Sequence, residues 1–290
     1  MNWSPFDPEV MADPASGHQY LLNECPVHHC DIFEPPFYTL SRYADVEYAL
    51  RDIETFSSHF GQGPRFTEPA GMLCDPPQHT QYRKLIQQAF TPKAVAKLRP
   101  LVVPLANRLV NDILAGEREF DLHDDLAFPL PVIIIAGMLG VPSEDLEDFK
   151  RWSDMQVELM GSEDPSQYVD EQTRFQAYMH AHMMSRRSLI ESGAEVPEDL
   201  LTLVAGAKTD TGEYIPDSDA LSMLNQLLVG GNETTTSLIT NMIWRLLEEP
   251  SLWQEILDDE SLIGAAVEES LRFDPPVLGL YRNTTRNVEL

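Results

Sequence analysis

A mainly helical fold with a small β region is predicted by three observations. Apolar residues recur at helical spacing almost without a break from Asp75 to Phe273. Ahead of them, residues 26–33 and 37–42 read as two short strands separated by Pro35-Pro36. Residues 218–249 form one unbroken helical pattern, about 48 Å long and so suited to run through a core.

The 290 residues, 43% of them hydrophobic, can bury a large core, as one big domain or two ordinary ones. The net charge of −27 repels nucleic acid and anionic lipid, so neither is expected as a partner. The longest apolar run, residues 132–141, is broken by Gly137 and Gly140 and falls short of the ~20 residues of a membrane span. The first residues carry neither the basic nor the apolar region of a secretory signal. Three cysteines, Cys25, Cys30 and Cys74, do not suggest a disulfide framework. A cytoplasmic location is expected.

The elements follow in order. The stretch to about Glu34, rich in Pro, Asp and His, is expected to be loosely ordered. After the two strands, residues 43–52 place Val46, Ala49 and Leu50 on one helical side. Residues 57–73 carry five Gly or Pro and no periodicity, and read as a long loop. Asp75-Pro76-Pro77 signals a helix start, and that helix runs to Phe90. Further helices are expected over 93–114, over 121–139 with bends at Pro129 and Pro131, and over 143–160, 166–192 and 199–207. A turn over 209–214 leads into the long helix, which Pro250 ends. Helices over 252–257 and 262–273 follow, then strand-like 278–282 and 287–290.

Three segments carry chemistry. The long helix holds Gly230-Gly231-Asn232-Glu233-Thr234 at its centre, although each helical Gly costs about 1 kcal/mol relative to Ala. Gly230 and Gly231 share a face with Thr234, which predicts either a groove for a flat ligand beside a hydroxyl and a carboxylate, or a tight helix crossing. His79 and Arg83, one turn apart near a helix start, suit a carboxylate or phosphate; the alternative is a surface pair. Glu269 and Arg272 stand at i, i+3 and can pair, ahead of Phe273-Asp274-Pro275-Pro276 and Arg282.

In this order and spacing the segments resemble a bacterial-type cytochrome P-450, a haem-thiolate monooxygenase. Residues 75–92 resemble the family's helix that holds a haem propionate, 230–235 its oxygen-activating segment, and Glu269 with Arg272 its Glu-x-x-Arg pair. Arg282 matches a basic residue that binds the other propionate in many relatives. Residues 26–60 look like the family's first strands and following helix.

The resemblance implies the cytochrome P-450 fold and haem-dependent hydroxylation of an apolar small molecule. It also implies a heme b cofactor, O2, and electrons from a ferredoxin-type or other redox partner. His79, Arg83 and Arg282 would hold the propionates. Gly230 and Gly231 would admit dioxygen and substrate, Thr234 would hydrogen-bond the oxygen, and Glu233 would relay protons. Glu269 and Arg272 would be structural.

The family's Cys-ligand loop lies downstream of everything present here. Residues 1–290 are therefore expected to be a single partial domain, with a β-containing region over about 20–60 and a helical region over about 75–275. This chain alone is expected to lack the thiolate ligand, to be inactive, and to expose an apolar patch. No metal ligand is assigned: Cys74 lacks the family's flanking glycines, and Cys25, His28, His29 and Cys30 read as strand side chains. The alternative is a non-catalytic haem- or hydrophobe-binding remnant; a hydrolase is disfavoured by the absence of Gly-x-Ser-x-Gly. Met155, Met160, Met179, Met183 and Met184 offer either soft pocket lining or ordinary core.

Overall fold

The computed structural model describes residues 3–61, 63, 66–116, 119–161 and 164–290. It divides into two compact units, residues 1–80 with 279–290, and residues 81–278.

In the first unit the segment expected to be loose folds into α1 (Pro8–Ala12) and α2 (Pro14–Glu24). Pro8 and Pro14 occupy first-turn positions, where the missing N–H is no loss, and the Asp7 side chain accepts the Glu9 N–H. Trp3 and Leu21 are buried, and Gly17 lets the Trp3 ring approach closely. Strands β1 (Val27–Cys30) and β2 (Phe37–Leu40) pair antiparallel, with Val27 opposite Leu40 and Cys30 opposite Phe37. Strand alternation turns His28 and Cys30 inward and leaves His29 exposed, so these residues do not gather as metal ligands. His28 Nε2 instead bonds the Trp3 carbonyl at 2.8 Å.

After α3 (Tyr43–Arg51) comes β3 (Phe56–Ser57), which pairs with β4 (Asn283–Thr284). The strands expected over 278–282 and 287–290 are absent; the strand lies between them. Its position is set by the β3 edge and by Arg286, whose guanidinium donates to Thr55 Oγ1 at 2.6 and 2.9 Å. In the expected loop over 57–73, Gly61 and Gly71 take positive φ, and the Cys74 thiol donates to the Gly71 carbonyl at 3.1 Å. Gln62, Pro64 and Arg65 lie outside the described residues.

The division between the units falls inside α4 (Gln78–Gln87). The second unit continues with α5 (Pro92–Ala96) and α6 (Arg99–Ala115), where a single helix is expected; Pro100 restarts the chain in the first turn of α6. Residues 121–139 likewise split into a π-helical turn, His123–Ala127, and α7 (Pro129–Leu139). Helix α7 buries five residues and ends on Gly140 in the left-handed region. Then come α8 (Leu146–Gly161), α9 (Val169–Ser192), α10 (Leu200–Ala205), α11 (Asp217–Glu248), α12 (Pro250–Asp258) and α13 (Ile263–Phe273).

Helix α11 is the axis of this unit and packs against α7, α8, α9, α10, α13 and the π-helical turn. Its first half buries Asp219, Ala220, Met223, Leu224, Leu227 and Leu228. Tyr82 donates a buried hydrogen bond to Asp219 at 2.8 Å, tying α4 to α11. Beyond Thr236 no described residue of α11 is buried, and neither α12 nor α13 buries any. Trp244, Leu247, Leu257, Ile263 and Phe273 are exposed there. Met155, Met179 and Met183 are core, because close-packed neighbours cover them almost fully; Met184 is exposed, and the Met160 side chain lies outside the described residues. No described helix is long and apolar enough to cross a membrane.

Candidate functional site

The two glycines at the centre of α11 differ in what they face. A Cβ on Gly230 would meet nothing within 4 Å, and the residue is exposed. A Cβ on Gly231 would stand 2.9 Å from Ile135 of α7. Gly231 is therefore a packing glycine at a helix crossing, as the tight-crossing reading expects, and not part of an open groove. Gly230 alone leaves backbone open to an approaching group. Thr234 is on the Gly230 side, and its hydroxyl donates to the Gly230 carbonyl at 2.9 Å.

The opposite side of the same turn is polar and buried. Asn232 is fully buried, and its amide donates to Ser153 Oγ of α8 at 2.7 Å and to Glu233 Oε1 at 3.1 Å. Thr236 Oγ1 lies 3.1 Å from the Ala127 carbonyl and 3.3 Å from Asn232 Oδ1. Glu233 is half-buried; burial and the nearby Asp154 carboxylate push its carboxyl above the usual range, with His123 opposing. Burial likewise raises Asp154, against the pull of Lys150.

Three basic residues singled out in the sequence, His79, Arg83 and Arg282, form no ion pair among the described residues. Among the described residues the His79 ring and the Arg83 guanidinium form no hydrogen bond or ion pair, although the chain holds 47 acidic side chains. Arg282 is half-buried and, among the described residues, donates only to the Tyr281 carbonyl, at 2.7 Å. Burial pulls its pKa down, and Asp75 opposes that. Glu269 and Arg272 form a bidentate pair on α13, both bonds 2.7 Å. The guanidinium hydrogen bond holds the Glu269 carboxyl below its usual range. Both side chains are largely exposed, so the pair adds little stability here. His79 and Arg282 belong to the first unit; Arg83, the α11 residues and the α13 pair belong to the second.

No family model matches the sequence. Comparison with individual proteins is decisive. The chain is 32% identical over 281 residues to the putative cytochrome P450 YjiB of Bacillus subtilis, covering 96% of this chain and 69% of the relative. It is 37% identical over 257 residues to erythromycin C-12 hydroxylase of Saccharopolyspora erythraea, covering 86% and 62%. The solved structure of cytochrome P450 CYP109Q5 from Chondromyces apiculatus superposes with a TM-score of 0.83 at 34% identity, covering 98% of this chain and 71% of that one.

The chain belongs to the cytochrome P450 family.

It spans about two thirds of the length of these relatives. Membership confirms the expected fold and implies a haem group, whose chemistry needs dioxygen and a redox partner. The residues present fit such a group. A P450 haem carries two carboxylates, and among the described residues this chain offers Arg282, a half-buried guanidinium in no ion pair, and Arg83, which also forms none. The open backbone at Gly230 would accept a flat ligand's edge.

Reasoning from the sequence missed Asn232, Ser153 and Thr236. Nothing local distinguishes them, since what anchors them, Ser153 against Asn232 and the Ala127 carbonyl against Thr236, comes from distant parts of the chain.

The glycines yield a test. Gly230→Ala is expected to stabilise this P450 by about 1 kcal/mol, because Ala is the better helix former and the space is free. Gly231→Ala is expected to destabilise it by about 1 kcal/mol, as overpacking against Ile135 outweighs the same gain. Urea midpoints of the two variants, moving in opposite directions, check the assignment.

Proposed function

We propose that this chain carries the oxygen-activating and propionate-binding residues of a haem-dependent monooxygenase that hydroxylates an apolar small molecule. The observation that carries the reading is that His79, Arg83 and Arg282 form no ion pair among the described residues of a strongly acidic chain. Supporting it, two relatives are named hydroxylases, of erythromycin at C-12 and of vitamin D(3) at position 25. The reading includes heme b, a ferredoxin-type electron donor and a cytoplasmic location.

Haem, when bound, supplies the redox chemistry of oxygen activation. The chain's own residues bind, orient and move protons. His79, Arg83 and Arg282 would hold the propionates by charge-assisted hydrogen bonds. Gly230 leaves room at the helix. Thr234 Oγ1, its proton given to the Gly230 carbonyl, keeps lone pairs free to accept a proton or hydrogen bond. Glu233, its carboxyl raised towards neutrality, holds a proton at a carboxylate oxygen and releases it readily. Glu269 and Arg272 stay structural.

Titration of the purified chain with haemin tests this. Saturable one-to-one binding is expected, and His79→Glu combined with Arg83→Glu is expected to weaken it at least about tenfold, through loss of charged hydrogen bonds. Non-saturable binding, or binding indifferent to the double substitution, overturns the assignment.

A further inference from the structure

We propose that Asn232, anchored by Ser153, is the positioning residue for the Glu233 carboxylate, so that α8 sets where the acid of α11 points. This rests on the reading of Glu233 as the proton-handling acid.

Adjacent side chains on a helix diverge by about 100° and do not normally meet. Asn232 and Glu233 meet here because the Asn232 amide is held from its other side. One amide proton goes to Ser153 Oγ at 2.7 Å and the other to Glu233 Oε1 at 3.1 Å. The amide oxygen lies 3.3 Å from Thr236 Oγ1, which also reaches the Ala127 carbonyl. Each polar atom of this amide therefore has a partner, and Asn232, Ser153 and Thr236 are all buried. An amide fixed at three points cannot follow Glu233; Glu233 must come to it. The carboxylate is thereby directed to the α8 side of α11, whereas the Thr234 hydroxyl bonds back to Gly230.

The charged groups facing Glu233 are Asp154 of α8 and His123 of the π-helical turn. Behind Asp154 stand Lys150, Glu158 and Asp124. Asn232 is the neutral donor that stabilises the ionised form of Glu233 against Asp154.

The experiment is carbon-13 NMR titration of the Glu side-chain carboxyls on the full chain, with Glu233→Gln identifying the Glu233 signal. Asn232→Leu, which keeps the volume but removes the donor, is expected to move the Glu233 midpoint upward by about one pH unit. Ser153→Ala, which frees the Asn232 amide to turn, is expected to move it in the same direction by less. If Asn232→Leu does not fold, Ser153→Ala decides. An unchanged midpoint in a folded variant overturns the proposal. The readout needs neither haem nor turnover. A shifted midpoint in a chain that fails to bind haem would leave the positioning role standing and remove the monooxygenase reading.

Discussion

Arg187→Met is expected to lower the unfolding free energy by about 3 kcal/mol, the cost of breaking a buried ionic hub by removing one partner. Arg187 of α9 is almost fully buried. Its Nε donates to the Ala205 carbonyl at 3.1 Å, one terminal nitrogen donates to the Ile215 carbonyl at 3.3 Å, and the other pairs with Asp217. The guanidinium also lies 4.7 Å from the Tyr214 ring centre. It thus joins α9, the end of α10, the turn before α11 and the first residue of α11.

Methionine fills the space but leaves two buried carbonyls without donors, and that desolvation sets the size of the loss. Asp217 contributes less, because its side chain is 47% exposed and can turn to water. Arg187→Lys should recover only part of the stability, since one ammonium cannot reproduce the planar fork.

The pH dependence has a defined sign. The Arg187 hydrogen bond holds the Asp217 carboxyl below its usual range, against burial. Its contribution is therefore present above the unfolded-state carboxylate range and lost as pH falls through the lower folded value. The difference between wild type and Arg187→Met should shrink on acidification. Urea unfolding at about pH 7 and about pH 3 measures both effects; a loss below about 1 kcal/mol at the higher pH would refute the hub.

In a protein of the relatives' full length that carries these residues, Thr234→Val and Glu233→Gln are each expected to lower substrate hydroxylation about 100-fold, the low end of what a positioned proton-transfer group contributes. Both substitutions nearly preserve shape. Among the described residues the Thr234 hydroxyl bonds only within its own helix, to Gly230, so Thr234→Val should leave the urea midpoint almost unchanged. For Glu233→Gln the sign is favourable: burial and Asp154 make the ionised carboxyl costly in the fold, and glutamine removes that cost. The rate profile of the wild type should show an inflection above the ordinary carboxylate range, and Glu233→Gln should lack it. Turnover with surrogate electron donors, followed as product per electron consumed, distinguishes loss of proton delivery from loss of folding. Wild-type rates in both variants would remove Thr234 and Glu233 from the reaction.

Much of the candidate site was legible in order along the chain. Gly230, Glu233 and Thr234 stand out because glycine and β-branched residues in a helix centre have a cost that packing or function must offset. His79 with Arg83, and Glu269 with Arg272, are visible because helical spacing places them together. The different environments of Gly230 and Gly231 were not legible. Only the position of Ile135, on another helix, decides which glycine is filled and which is open.

The prolines near the N-terminus misled for a related reason. Proline disfavours a helix interior but suits its first turn, and the α1 and α2 starts depend on a cap at Asp7 and on packing around Trp3 and Leu21.

By itself the sequence determined the helical class, the extent of α11, the β1–β2 pair and the family, because periodicity, caps and motif spacing act within a few residues of each other. Tertiary structure alone decided that β4 is Asn283–Thr284, that Arg187 is a buried hub, and that Asn232 reaches both Ser153 and Glu233. Hydrogen bonds to distant elements and burial among them fix these features. A partner 79 or 231 residues away leaves no mark on the local pattern.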